Sequence, residues 1–198
     1  MPPFNYPPSP RVNQQDLYHG TWVADPYRWL EDVDSPESRA WIDAQNALTF
    51  AYLDQIPARD SIRRRFTDLW NYARAQAPHP RGGRYFQLRN SGLQNQDVLV
   101  VFDNLDGEGR VLLDPNLLSE DGTVALTEWA ASPDGRWLAY AISASGSDWL
   151  TWQVRDVLTG QDLPDRIEWS KFSGAEWQAD NQAFYYARYD SPQPGEEF

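Results

Sequence analysis

The strongest hydrophobic pattern in the chain is Ser132-Pro133-Asp134-Gly135-Arg136-Trp137-Leu138-Ala139-Tyr140-Ala141. Pro presets the first dihedral of a tight turn and Gly accepts a positive φ, so Pro133-Asp134-Gly135 predicts a turn. The unbroken apolar run behind it predicts a strand buried on both faces. The pattern has partial echoes. Gly83-Arg84-Tyr85-Phe86 stands 52 residues before Gly135-Arg136-Trp137-Leu138, and Trp177, Asp180 and Tyr186 stand 48, 46 and 46 residues after Trp129, Asp134 and Tyr140. Repetition near this length is the signature of β-propeller blades, each of about four strands.

Before this β texture the chain reads differently. Residues 1 to about 34 are Pro-rich and irregular, with enough aromatics to lie against something. Ser35-Pro36 then reads as an N-cap followed by Pro at the first helical position, and Glu37 suits the positive end of the helix dipole. Trp41, Ala44, Leu48, Ala51 and Tyr52 recur at helical spacing until Pro57. A second helix over 58–72 places Ile62, Phe66, Leu69 and Trp70 on one stripe. Beyond Ala77-Pro78-His79-Pro80, strands are predicted at 84–89, 98–102, 110–113, 152–157, 174–177 and 183–188. The fold class is therefore mainly β with an N-terminal α-helical segment. Residues 1–76 form an extended and two-helix segment, and 77–198 an incomplete, open β-propeller of about two blades plus the start of a third. Residues 191–198 are turn-forming and acidic and supply no closing element. A propeller ring needs about four to eight blades, so the arc reads as cut rather than finished.

Composition narrows the class. The 198 residues are 41% hydrophobic with ten Trp and ten Tyr, enough for a substantial core. A formal net charge of −12 argues against nucleic acid and anionic membrane surfaces as partners. The absence of Cys removes disulfides, thiolate metal sites and Cys nucleophiles together. No apolar run approaches the roughly 20 residues that span a bilayer. The first residues lack the basic and apolar regions of a signal peptide, so a soluble cytoplasmic protein is expected. No motif calls for a cofactor or a metal: Asp103-Asn104-Leu105-Asp106-Gly107 lacks the alternating ligands and distal Glu of a calcium loop and reads as a hairpin turn. Glu31, Asp32 and Asp34 read as capping acids, and Arg63-Arg64-Arg65 as a solvated helix face.

Four motifs in register carry a family resemblance. Asp25-Pro26-Tyr27-Arg28-Trp29-Leu30-Glu31-Asp32, Gly92-Leu93-Gln94-Asn95-Gln96, Asp114-Pro115-Asn116-Leu117-Leu118-Ser119 and Ser143-Ala144-Ser145-Gly146-Ser147-Asp148-Trp149 together resemble the N-terminal part of prolyl oligopeptidases. The resemblance implies a cytosolic serine peptidase that cuts short proline-containing peptides on the carboxyl side of proline. It also implies a seven-bladed propeller covering the active site of a C-terminal α/β-hydrolase domain, on which the N-terminal helical segment packs. The nucleophile, acid and histidine of the family lie in that domain. No Gly-x-Ser-x-Gly elbow occurs in the 198 residues, and only His19 and His79 offer an imidazole base, so no catalytic residue is assigned and the chain alone is expected to be inactive.

One functional residue follows from the resemblance. Lys171-Phe172-Ser173 matches the family position where a Phe of the second blade lines the substrate pocket, making Phe172 a candidate contact for the residue preceding proline. Phe172 as plain propeller core is the competing reading. Two functions from different classes stay open: the front portion of a serine peptidase, whose propeller gates access, and a non-catalytic propeller-like binding module. The first expects exposed apolar faces and association of the chain alone, the second a monodisperse, cooperative fold.

Overall fold

The computed structural model describes residues 4–193, so the end of the 191–198 tail lies outside the described residues. The chain divides into two compact units, with the boundary between Phe66 and Thr67.

In the first unit, β1 (Gln15–Tyr18) and β2 (Thr21–Ala24) form an antiparallel hairpin. Its turn residues His19 and Gly20 have φ of 50° and 86°. Two consecutive positive values match the right-handed strand twist and close a two-residue hairpin. The first 34 residues are thus not irregular throughout, and the short, exposed hairpin escaped the hydrophobic pattern because it buries no face. A 3-10 turn follows at Arg28–Glu31. Arg28 pairs with Asp16 and Asp25, which holds its guanidinium pKa above its ordinary value, the Asp25 hydrogen bond contributing most.

Helix α1 (Pro36–Leu53) begins as expected: the Ser35 hydroxyl accepts from the Ser38 amide at 3.2 Å, with Pro36 at the first helical position. The Pro-rich segment lies against this helix. Trp29 Nε1 donates to the Pro10 carbonyl (3.0 Å), Trp41 Nε1 to the Ser9 hydroxyl (3.0 Å) and Gln45 Nε2 to the Pro7 carbonyl (3.3 Å). The Pro10 and Pro7 carbonyls have no strand partner here, and the Trp29 indole and the Gln45 amide satisfy them. Helix α2 (Arg59–Trp70) carries the unit boundary within it. Its apolar residues Ile62, Phe66, Leu69 and Trp70 are all at least half-exposed.

The second unit holds every buried hydrophobic residue among those described. Its first sheet runs β5 (Arg84–Asn90), β6 (Val98–Phe102) and β7 (Arg110–Leu113), with one edge of β5 shared by β3 (Arg74–Ala75) and β4 (His79–Arg81). The second sheet is an antiparallel meander of β8 (Ala125–Ala131), β9 (Trp137–Ser143), β10 (Leu150–Asp156) and β11 (Asp162–Ser170). A hairpin of β12 (Glu176–Trp177) and β13 (Phe184–Tyr185) begins a third unit. This is two blades plus the start of a third, in open sheets.

Beyond the β1–β2 hairpin, four strands were not legible from the pattern, for physical reasons. Strand β8 (Ala-Leu-Thr-Glu-Trp-Ala-Ala) is rich in poor strand formers. Strand β11 is an edge with Pro164 and three acids, which reads as loop. The β3/β4 edge is split into pieces of two and three residues.

Strand β9 is buried on both faces, as its unbroken apolar run requires. Successive side chains point oppositely. Leu138 and Tyr140 therefore join Phe86, Leu99 and Val101 of the first blade, whereas Ala139 and Ala141 join Leu150 and Trp152 beneath Trp177 and Phe184. Tyr140 keeps its hydroxyl satisfied by Gln153 (3.2 Å), and burial pushes its phenol up to about 12.

The turns before the second strand of each blade interlock. In the second blade, the Ser132 hydroxyl accepts from the Trp137 amide (2.9 Å) and donates to Asp134 (2.5 Å). Partial burial opposes the charge on Asp134, yet the Ser132 hydroxyl, the Arg136 amide and the Arg136 charge hold its carboxyl below the ordinary range. The Asp134 amide donates to Asn181 Oδ1 of the third unit (3.0 Å), while Arg84 of the first blade donates to the Gly135 carbonyl (3.1 Å). A Cβ on Gly82 would lie 1.9 Å from the Asp134 carbonyl oxygen, whereas one on Gly83 would meet nothing within 4 Å. Both glycines have positive φ, 53° and 76°. Gly83→Ala is therefore expected to cost only the conformational penalty of about 1–2 kcal/mol. Gly82→Ala must also drive the two turns apart and should cost clearly more, about 3 kcal/mol or above. Chemical denaturation of the two variants checks the order.

Candidate functional site

Phe172 follows the last strand of the second blade, in a loop fixed by a chain of hydrogen bonds. Trp152, fully buried, donates from Nε1 to the Ser170 hydroxyl at 3.1 Å, and Ser170 donates onward to the Ala187 carbonyl at 2.7 Å. Three residues later the Ser173 hydroxyl accepts from the Ala187 amide at 3.0 Å. Both polar groups of Ala187 are thus held by serines on either side of Lys171-Phe172. The Tyr189 amide adds a bond to the Trp169 carbonyl at 2.7 Å.

This clamp imposes an unusual backbone. Trp169 and Phe172 have φ of 62° and 53°. Bulky residues rarely occupy this left-handed region and persist there only where the surroundings over-determine them. The outcome for Phe172 is exposure: 79% of its surface is accessible, so it is not buried core.

Around it lies an aromatic group that the spacing of the sequence did not reveal. Trp149 meets Trp169 edge-on at 5.4 Å and Tyr189 at 5.7 Å. Lys171 places its ammonium 4.2 Å above the Trp149 ring centre, 5.4 Å from Tyr189 and 5.9 Å from Phe172. The result is a half-buried pair of indoles with the exposed rings of Tyr189 and Phe172 beside the Lys171 ammonium, suited to an apolar or anionic group and not to acid–base chemistry. Trp149 belongs to one of the four sequence motifs; Tyr189 carries no signal of its own, because only the fold returns it to Trp169.

The other candidates fall in structural roles. His79 lies in β4 with its ring edge-on to Trp129 at 5.7 Å, and His19 occupies the β1–β2 turn. Asp34 pairs with Arg39, and Glu31 lies 3.4 Å from Arg28. Residues 103–107 join β6 to β7 as a turn, with the Gly107 amide bonded to the Asn104 carbonyl at 3.3 Å. Arg63, Arg64 and Arg65 are exposed on α2. Among the described residues, no group of three His, Cys, Asp or Glu side chains is placed to hold a metal, and no helix is long and apolar enough to cross a membrane.

Exposure makes a stability test of Phe172 informative. Phe172→Ala is expected to change unfolding free energy by no more than about 0.5 kcal/mol, against about 3–5 kcal/mol for a core Phe. Phe172→Gly should be neutral or stabilising by up to about 1 kcal/mol, since glycine adopts this φ without strain. Thermal or urea unfolding of the two variants measures both.

With this geometry in place, comparison with known proteins is specific. Residues 7–197 match the family described as prolyl oligopeptidase, N-terminal β-propeller domain. The chain is 40% identical over 190 residues to the prolyl endopeptidase of Elizabethkingia meningoseptica, covering 96% of this chain and 27% of that protein. It is 36% identical over 213 residues to prolyl oligopeptidase A of Galerina marginata, covering 94% and 29%. Among solved structures, one from a study of two prolyl endopeptidases aligns with a TM-score of 0.84 at 36% identity, over 95% of this chain and 28% of that one. Prolyl oligopeptidase B of Galerina marginata, bound to a 25mer macrocyclization substrate, aligns with a TM-score of 0.78 at 33% identity, over 97% and 30%. The chain thus spans under a third of the length of these relatives.

Proposed function

The chain belongs to the prolyl oligopeptidase family, matching its N-terminal β-propeller domain, and from that premise we propose that it is the N-terminal and propeller portion of a serine-type peptidase hydrolysing short peptides after proline. The observation that carries the reading is the match over residues 7–197, together with relatives at 36–40% identity that are named prolyl endopeptidase and prolyl oligopeptidase.

In this reading the chemistry belongs to a C-terminal α/β-hydrolase domain. Its serine attacks the prolyl carbonyl, the peptide amine leaves with a proton from the histidine, and water then releases the acyl group. The residues described above contribute binding and access. The propeller restricts entry to short peptides, and Phe172 presents its ring to the residue preceding proline. The exposure of Phe172 and the clamp on the backbone either side of it support that role: a loop already ordered loses little backbone freedom when a ligand covers the ring. The exposed apolar residues of α2 suit packing against the hydrolase domain. A cytoplasmic location accords with the cysteine-free sequence.

The full-length gene product is expected to cleave a Gly-Pro reporter peptide and to be trapped by a serine-reactive phosphonate. A folded full-length protein that does neither sinks the peptidase assignment. Phe172→Ala in that protein should lower kcat/KM by about tenfold, mostly through KM, as expected for losing an aromatic anchor. The 198 residues alone should self-associate in light scattering through their exposed apolar surface. A monodisperse, cooperatively unfolding chain would instead favour a self-standing binding module.

A further inference from the structure

Lys171 is the only lysine among the 17 basic residues of the chain; every other one is Arg. Six arginines, Arg28, Arg39, Arg59, Arg84, Arg155 and Arg166, pair with a carboxylate, and the chain offers 29 acidic residues. Arg11, Arg74, Arg89 and Arg136 each lie over one or two aromatic rings, whereas Lys171 lies within reach of three. Yet Lys171 has no carboxylate within ion-pair distance among the described residues. Its ammonium rests instead on ring faces, 4.2 Å from the centre of Trp149 and 5.4 Å from that of Tyr189. Ring faces attract a cation through their quadrupole but carry no formal charge, so the positive charge is positioned without being neutralised.

The charge also lies beside the proposed peptide contact. The ammonium is 5.9 Å from the centre of the Phe172 ring, so a side chain resting on that ring brings its far end within reach of Nζ. An ammonium is a compact point charge with three rotatable donors, suited to a carboxylate arriving from varied directions. An arginine there would tend to stack flat on the indole. With a formal charge of −12, the rest of the chain disfavours an anionic ligand, and Lys171 offsets this locally.

On the peptidase reading above, we propose that Lys171 is a specificity-determining residue favouring peptides with an acidic residue immediately before the proline. The aromatic rings hold the ammonium in place, and the substrate carboxylate supplies the counter-charge that the fold withholds.

The test uses the full-length enzyme and blocked reporter peptides differing only in Glu, Gln or Lys before the proline. Wild type should prefer Glu over Gln by about threefold in kcat/KM, the size expected for a partly solvated ion pair, and should disfavour Lys. In Lys171→Met the Glu to Gln ratio should fall to about one, and in Lys171→Arg the preference for Glu should persist. The ratio is taken within each enzyme, which cancels differences in folded fraction. A wild type without preference for Glu, or a ratio unchanged in Lys171→Met, overturns the proposal while cleavage of the Gly-Pro reporter leaves the peptidase reading standing. Where Lys171→Met fails to accumulate, the wild-type ratio decides. Loss of all cleavage by folded wild type removes the peptidase reading and this inference with it.

Discussion

The second unit depends on interlocked turns. Each blade enters its second strand through a turn of positive φ, at Gly82-Gly83, at Gly135 and at Asn181. The middle turn is joined to both neighbours, accepting from Arg84 on one side and donating to Asn181 on the other. Sheets that stack face to face would be free to slide if only apolar surface held them, because hydrophobic burial is non-directional. Hydrogen bonds from turn to turn set the register, and the glycine at 82 permits an approach that no side chain would tolerate. Around this point Trp177 repeats the logic, donating from Nε1 to the Ala130 carbonyl at 2.9 Å while its rings cover the forward face of β9. Further out, Arg155 reaches back from the second blade to the Leu112 carbonyl at 2.7 Å and is held in place by Asp162.

That arrangement explains what was readable in the sequence and what was not. The spacing of 52 between Gly83 and Gly135, and of 46 between Asp134 and Asp180, is the spacing of these turns, so the blade repeat was legible wherever turn chemistry and core met. Leu138 and Phe86 occupy matching positions after their turns and share one core. Strands that meet solvent had no such constraint. Strand β11 pairs with β10 through two register shifts, and an edge with that freedom accepts Pro164 and charged residues that erase any alternation. The helical unit shows the converse. Its N-cap at Ser35 was visible because capping is a local interaction, whereas the indole bonds to Pro10 and Ser9 join positions 19 and 32 residues apart and leave no local trace.

The candidate site divides in the same way. Phe172 was found by resemblance, since an aromatic residue in an aromatic-rich chain has no pattern of its own. Its exposure and its left-handed φ arise from Ser170, Ser173 and Ala187, which become neighbours only when β11 ends and the chain comes back past the β12–β13 hairpin. Lys171 carried a compositional signal as the single lysine, but its meaning required the rings of Trp149 and Tyr189 to converge on it.

Rigidity and exposure are joined in this loop by one physical cause. The hydroxyl of Ser170 must be satisfied because the residue is fully buried, and it spans Trp152 in the core and Ala187 in the returning chain. A fixed Ser170 and a fixed Ser173 leave the two residues between them little choice of path, and Phe172 takes up the strain in a left-handed conformation. Core packing thereby orders the backbone that carries an exposed side chain. An exposed aromatic ring on a flexible loop would lose rotamer and backbone freedom on meeting a peptide, but on a loop clamped by the blade beneath it the backbone share has already been lost in folding. The stability of the second blade and the presentation of Phe172 and Lys171 are therefore one property: a substitution that loosens Trp152 or Ser170 reaches the site through the backbone, without touching either exposed side chain.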